Sequence, residues 1–120
     1  MFTSFASRSL SEVLPSRAIA RLRAFRRDVE RAMPGRVTDV VLFGSRARGD
    51  ARPDSDYDVA VFVRNLEDRR SVDHTLADMA YRHILQGVHI RPVAVPTDYL
   101  ESRPHYSLAI NIKRDGMLVV

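Results

Sequence analysis

Two apolar, β-branched runs, Val37 to Phe43 and Tyr57 to Val63, flank a polar stretch that opens with Gly44-Ser45 and closes with Asp56-Tyr57-Asp58. Runs of this length and composition predict interior strands. The first empties into Gly44, and the segment from Gly44 to Ser55 holds Gly44, Gly49 and Pro53 with no periodicity, which predicts a loop. Residues 46 to 55, ten in all, separate Ser45 from Asp56, so the loop can fold back over the carboxylates at the start of the second strand. Because side chains alternate along a strand, Asp56 and Asp58 project from one face, and Tyr57 points the other way, into the fold.

The rest of the chain supplies helices around these strands. After Pro15-Ser16, the apolar residues Ile19, Leu22, Phe25, Val29 and Met33 fall on one helical stripe that Pro34-Gly35 stops. Its other faces carry Arg17, Arg21, Arg23, Arg26, Arg27 and Arg31 against Asp28 and Glu30, either a solvated face with a few i,i+4 pairs or an anion-binding one. A second helix is predicted from about Asp68 to Gln86, with Val72, Leu76, Met79, Ala80 and Ile84 inward and Gly87 as its stop. Val88 to Val95 reads as a third strand whose Pro92 suggests an edge or a bulge. Thr97 caps a short helix near Asp98 to Ser102, Tyr106 to Arg114 reads as helical, and Gly116 leads into a terminal strand, Met117 to Val120. The order α-β-β-α-β-α-α-β, with no repeat or linker, predicts an α/β domain: a small mixed sheet with helices largely on one face.

A chain of 120 residues suits one domain. That domain is expected over residues 15 to 120, with 1 to 14 as a flexible leader. Met1 to Leu10 has Ser and Arg but neither the apolar core nor the cleavage site of a signal peptide. No apolar run approaches the roughly 18 residues of a membrane span. The absence of cysteine removes disulfides, thiolate nucleophiles and Cys-ligated zinc, so any metal must be held by O or N ligands. A cytoplasmic address and no membrane association are therefore expected. The net charge of +4 permits an anionic partner without naming one. Only Lys113 breaks the arginine monopoly among the basic residues, a skew that suits phosphates but that codon bias would also produce.

The chemistry-bearing residues lie around the central loop. Asp56 and Asp58 offer two hard oxygen ligands side by side, which suits Mg²⁺ bridging to substrate phosphates. Gly44 lets the backbone approach phosphate oxygens closely, and neighbouring N–H groups and the Ser45 hydroxyl can donate to them. Arg46 or Arg48 can offset phosphate charge. The plainer alternative makes the glycines mere turn formers and the aspartates a solvated acidic cluster. Gly-Ser, ten residues and Asp-x-Asp between hydrophobic strands weigh against it.

At these residues the chain resembles the minimal nucleotidyltransferases of the DNA polymerase beta-like superfamily, whose signature is Gly-Ser, a short spacer and Asp-x-Asp. The likeness includes Arg46-Ala47-Arg48-Gly49 and Ser55-Asp56-Tyr57-Asp58, and Asn111-Ile112-Lys113-Arg114-Asp115-Gly116 is similar to the family's C-terminal ending. The resemblance covers about residues 15 to 120 and is nearest to antitoxins of the MntA type, encoded beside helical HEPN toxins. It implies transfer of AMP from ATP to a tyrosine hydroxyl of the HEPN partner, with Asp56 and Asp58 holding Mg²⁺ and Gly44, Ser45 and Arg48 contacting the triphosphate. The family usually carries a third carboxylate on the later strand, which helps bind the metal beside the nucleophile. Here no acid lies between Asp78 and Asp98, and His89 or Arg91, which share a strand face, stands in that place. A histidine could serve as a base, whereas an arginine would repel a second metal. The other histidines lack metal-ligand spacing, and Tyr81, Tyr99 and Tyr106 are expected to be half-buried packing residues. Three rival readings remain: a catalytically impaired antitoxin acting by complex formation, an enzyme modifying a small molecule, and, weakest, a nucleic-acid binder using the first helix's arginines.

Overall fold

A computed structural model describes residues 9–120. Part of the expected leader, residues 1–8, lies outside them. Residues 9–14 are packed rather than flexible: Leu10–Glu12 forms a 3₁₀ turn, and Leu10 and Leu14 are buried in the main core.

Helix α1, Ser16–Ala32, runs from Pro15 to the turn at Pro34-Gly35 and buries Ala18, Ile19, Leu22, Phe25 and Val29. Strand β1, Val37–Phe43, leads through Gly44 into a single helical turn, α2, Ser45–Arg48, where the sequence predicted only loop. Gly49 closes that turn in the left-handed conformation (φ 84°), and four residues are too few to show periodicity. Strand β2 is Tyr57–Val63, α3 is Arg69–Ile84 and β3 is Ile90–Pro96. The short α4, Tyr99–Ser102, precedes α5, Ser107–Asp115, and β4 is reduced to Met117–Leu118.

The sheet order is β3-β2-β1-β4. β1 runs antiparallel to β2 and β4, while β2 and β3 are parallel and joined by α3, so the sheet is mixed as expected. The two long helices share one face: α1 and the α3 residues Leu76 and Ala80 pack on Val40, Leu42, Val59, Val61 and Val63. The short α4 and α5 cover part of the other face, where Tyr99, Leu100, Ala109 and Ile112 meet Val41, Phe43, Ala60, Phe62 and Val95. β3 is an edge strand, which explains how Pro92 is accommodated. Its outward N–H positions alternate. Pro92 and Pro96 have no N–H there, and that of Ala94 donates to Asp73 Oδ1 of α3 at 2.7 Å. The edge is thereby closed to further pairing.

His83 was not foreseen as a core residue. It is fully buried on the inner stripe of α3 with Leu76 and Ala80, and its ring meets Phe25 of α1 edge-on at 6.2 Å. The tyrosines divide: Tyr99 is buried, whereas Tyr81 and Tyr106 are exposed rather than half-buried.

Candidate active site

The site forms on the α4–α5 face of the sheet, at the end where β1 stops and β2 begins. Gly44 bridges β1 and α2 with φ 78° and ψ −161°, a conformation that is essentially glycine-only. A Cβ built there would overlap Asp58 Oδ2, so glycine is required for the turn to sit against the carboxylate. The first amides of a helical turn have no intrahelical acceptor, which leaves those opening α2 suited to an anion.

Asp58 lies on β2, its side chain about one-fifth exposed, and Asp56 immediately precedes the strand at 41%. Their common partner is Arg91 of β3, which stands opposite Asp58 in the parallel register. Nε of Arg91 donates to Asp58 Oδ1 at 2.8 Å, Nη2 lies at ion-pair distance, 2.8 Å, from the same oxygen, and Nη1 lies 3.5 Å from Asp56 Oδ2. The expected alternative, His89, precedes the strand and serves through its backbone carbonyl, which accepts from the Tyr57 N–H at 2.8 Å. Arg91 therefore takes the position where the resemblance implied a third acid. Both carboxylates thus face one guanidinium. Among the described residues no group of three or more acids or histidines is placed to hold a metal. Asp56 and Asp58 offer two carboxylates of the kind a hard divalent ion could take, short of a complete set of protein ligands.

The two candidate arginines of α2 separate. Arg46 turns back to the spacer: Nε donates to the Ser55 carbonyl at 3.2 Å, Nη2 reaches the Pro53 and Ser55 carbonyls, and the guanidinium lies 4.4 Å from the Tyr57 ring centre. Arg48 instead faces an open cleft of about 580 Å³ lined by Gly44, Ser45, Asp58 and Arg91 and closed on the far side by Asn111, Arg114 and Asp115 of α5. Nη1 of Arg48 donates to Asp115 Oδ2 at 2.9 Å, and Nε and Nη2 of Arg114 grip the same carboxylate at 2.9 and 3.1 Å. Burial alone would raise the Asp115 carboxyl, but the hydrogen bonds and charges of Arg114 and Arg48 together hold it below the usual carboxylate range. Asp115 thus fixes two guanidinium groups at the cleft. The sequence carried a signal for this cluster in the Asn111-to-Gly116 ending, but no spacing joined it to Arg48.

The sequence profile of the nucleotidyltransferase domain family matches residues 22–114. A curated relative from Methanocaldococcus jannaschii, named "Putative protein adenylyltransferase MJ0141", is 22% identical over 93 residues, which span 74% of this chain and 94% of that protein. The crystal structure of a nucleotidyltransferase from Sulfolobus solfataricus, titled "putative", superimposes with a TM-score of 0.51 at 18% identity, covering 94% of this chain and 87% of that one. A toxin–antitoxin structure with AMP-PNP superimposes with a TM-score of 0.49 at 17% identity, over 82% of this chain and 72% of its own.

Proposed function

The chain belongs to the nucleotidyltransferase domain family, and from that premise we propose that it transfers AMP from Mg²⁺-ATP to a hydroxyl, a tyrosine of a HEPN-family partner protein, and so acts as an antitoxin. The observation that carries the transferase reading is the closure of Gly44 onto Asp58, with Ser45, Arg48 and Arg114 lining the same cleft. A protein acceptor is supported by the name of the Methanocaldococcus relative. The HEPN tyrosine rests on the likeness of Gly44-Ser45, Asp56-x-Asp58 and the Asn111-to-Gly116 ending to antitoxins of the MntA type.

Asp56 and Asp58 would hold a divalent ion, which would supply charge stabilisation for the displacement at the α-phosphorus. Gly44 admits the phosphates close to the backbone, and the Ser45 amide and hydroxyl donate to their oxygens. Arg48 and Arg114, held by Asp115, present guanidinium groups to the triphosphate. The acceptor oxygen bonds to the α-phosphorus as the bond to the bridging oxygen of the β-phosphate breaks, and pyrophosphate leaves. The hydroxyl proton passes to solvent, because both carboxylates lining the cleft are ion-paired to arginine.

The test incubates the chain with α-phosphate-labelled ATP, Mg²⁺ and the product of the adjacent gene, followed by mass analysis of both proteins. One AMP on a partner tyrosine is expected, lost in Asp56→Asn and in Asp58→Asn. The seating of Arg91 on both aspartates favours, as the second reading, an antitoxin that works by complex formation alone. A stable complex without label on either protein would establish that reading against transfer, and label appearing on a small hydroxyl compound would establish a small-molecule acceptor.

A further inference from the structure

Arg91 is the charged residue of the cleft that the transfer chemistry leaves without a part. Its guanidinium pinches Asp58 Oδ1 between Nε and Nη2 and reaches Asp56 through Nη1, while the side chain remains 69% exposed. The pairing follows from the backbone, since the parallel register sets Arg91 directly beside Asp58. Two carboxylates and one guanidinium sum to a single negative charge. That suits one divalent cation shared with a triphosphate, whereas the guanidinium would repel a second, and among the described residues no group of three or more acids or histidines stands ready to hold one.

We infer that the Arg91 guanidinium supplies the second positive charge at this site, so that each bound nucleotide carries one divalent cation between Asp56 and Asp58. This rests on the nucleotide-binding reading above. It makes Arg91 a built-in counterion of the aspartate pair before the metal arrives and a partner of the phosphates afterwards.

The full chain is tested by native mass spectrometry with Mn²⁺ and the α,β-methylene analogue of ATP, which cannot be transferred. The wild-type complex is expected to carry one manganese ion and the Arg91→Glu complex two. Without nucleotide, Arg91→Ala is expected to bind Mn²⁺ ~10-fold more tightly than wild type, because a competing positive charge has gone. Two ions on the wild-type complex, one ion on Arg91→Glu, or unchanged Mn²⁺ affinity in Arg91→Ala would each overturn the inference while leaving nucleotide binding intact. A wild-type chain that captures no nucleotide at all overturns the parent reading and this one with it.

Discussion

At Gly44 one added carbon separates a working turn from a blocked one. The backbone there costs about 1–3 kcal/mol for any residue with a Cβ, and that Cβ would drive the Asp58 carboxylate from its place. Gly44→Ala should therefore stay folded, with a lowered melting temperature, but lose ~100-fold or more in AMP transfer, the scale of loss that follows a misplaced reacting group. Melting by circular dichroism beside label incorporation separates the two effects. Asp115 acts differently, because it touches the cleft through the arginines it holds. Its folded pKa lies below the ordinary 3.8, so its contribution is complete above that pH and is lost as the pH falls below it toward the folded value. Asp115→Asn should cost about 1–3 kcal/mol, since the carboxylate is buried while its partners are partly solvated, and should flatten the acid limb of the stability curve. Melts across a pH series below 4 read both, and an unchanged acid limb would remove Asp115 from this role.

The elements themselves were largely legible in the sequence, because β1 and β2 are mostly apolar, β-branched runs and the long helices keep a simple period. What stayed hidden arises between elements. His83 lies three residues past Ala80 on the stripe that Leu76 begins, but a histidine does not count as apolar in a periodic reading, and Ile84, half-buried, was given its place. Arg91 meets Asp58 only because β3 joins β2 in parallel register, and no linear spacing encodes that. The α1–α3 contact also bears a cost. Neither ring nitrogen of His83 has a hydrogen-bond partner among the described residues, and Asp28 Oδ2 stands 3.8 Å from Nε2, too far for one. Burial, with Arg21 and Arg82 nearby, lowers the His83 pKa below 6.5 despite the opposing charge of Asp28. The unfolded chain therefore takes up a proton near pH 6.5 that the folded chain refuses, and stability falls as the pH drops through the window just below that value. His83→Leu should abolish this dependence and raise the melting temperature at pH 6. A wild-type curve that is flat between pH 7 and 5 would mean that the ring is not held neutral by the fold.

Across the whole molecule, charge is organised rather than simply positive. Arg23 and Arg26 of α1 donate to the carbonyls of Val120 and Val119, tying the helix to the end of the chain, and Arg31 pairs with Asp28 within the helix. On the other face of the sheet, Arg48, Arg91 and Arg114 converge with Asp58 and Asp115 on one cleft. That cleft draws its walls from β1, α2, β2, β3 and α5, elements far apart in the chain, so it exists only in the folded state. A ligand that binds it must stabilise the fold by mass action. At ~100 times its dissociation constant, Mg²⁺-ATP should contribute ~2.7 kcal/mol, which for a chain of this size is a rise of ~10 °C in melting temperature. The rise should shrink when EDTA removes the metal and disappear in Asp56→Asn, whose side chain is 41% exposed and whose fold should survive. Differential scanning calorimetry with ATP, ATP plus EDTA and the variant resolves the three cases. A rise that persists without metal and without Asp56 would place the nucleotide elsewhere on the molecule and detach the aspartate pair from its proposed work.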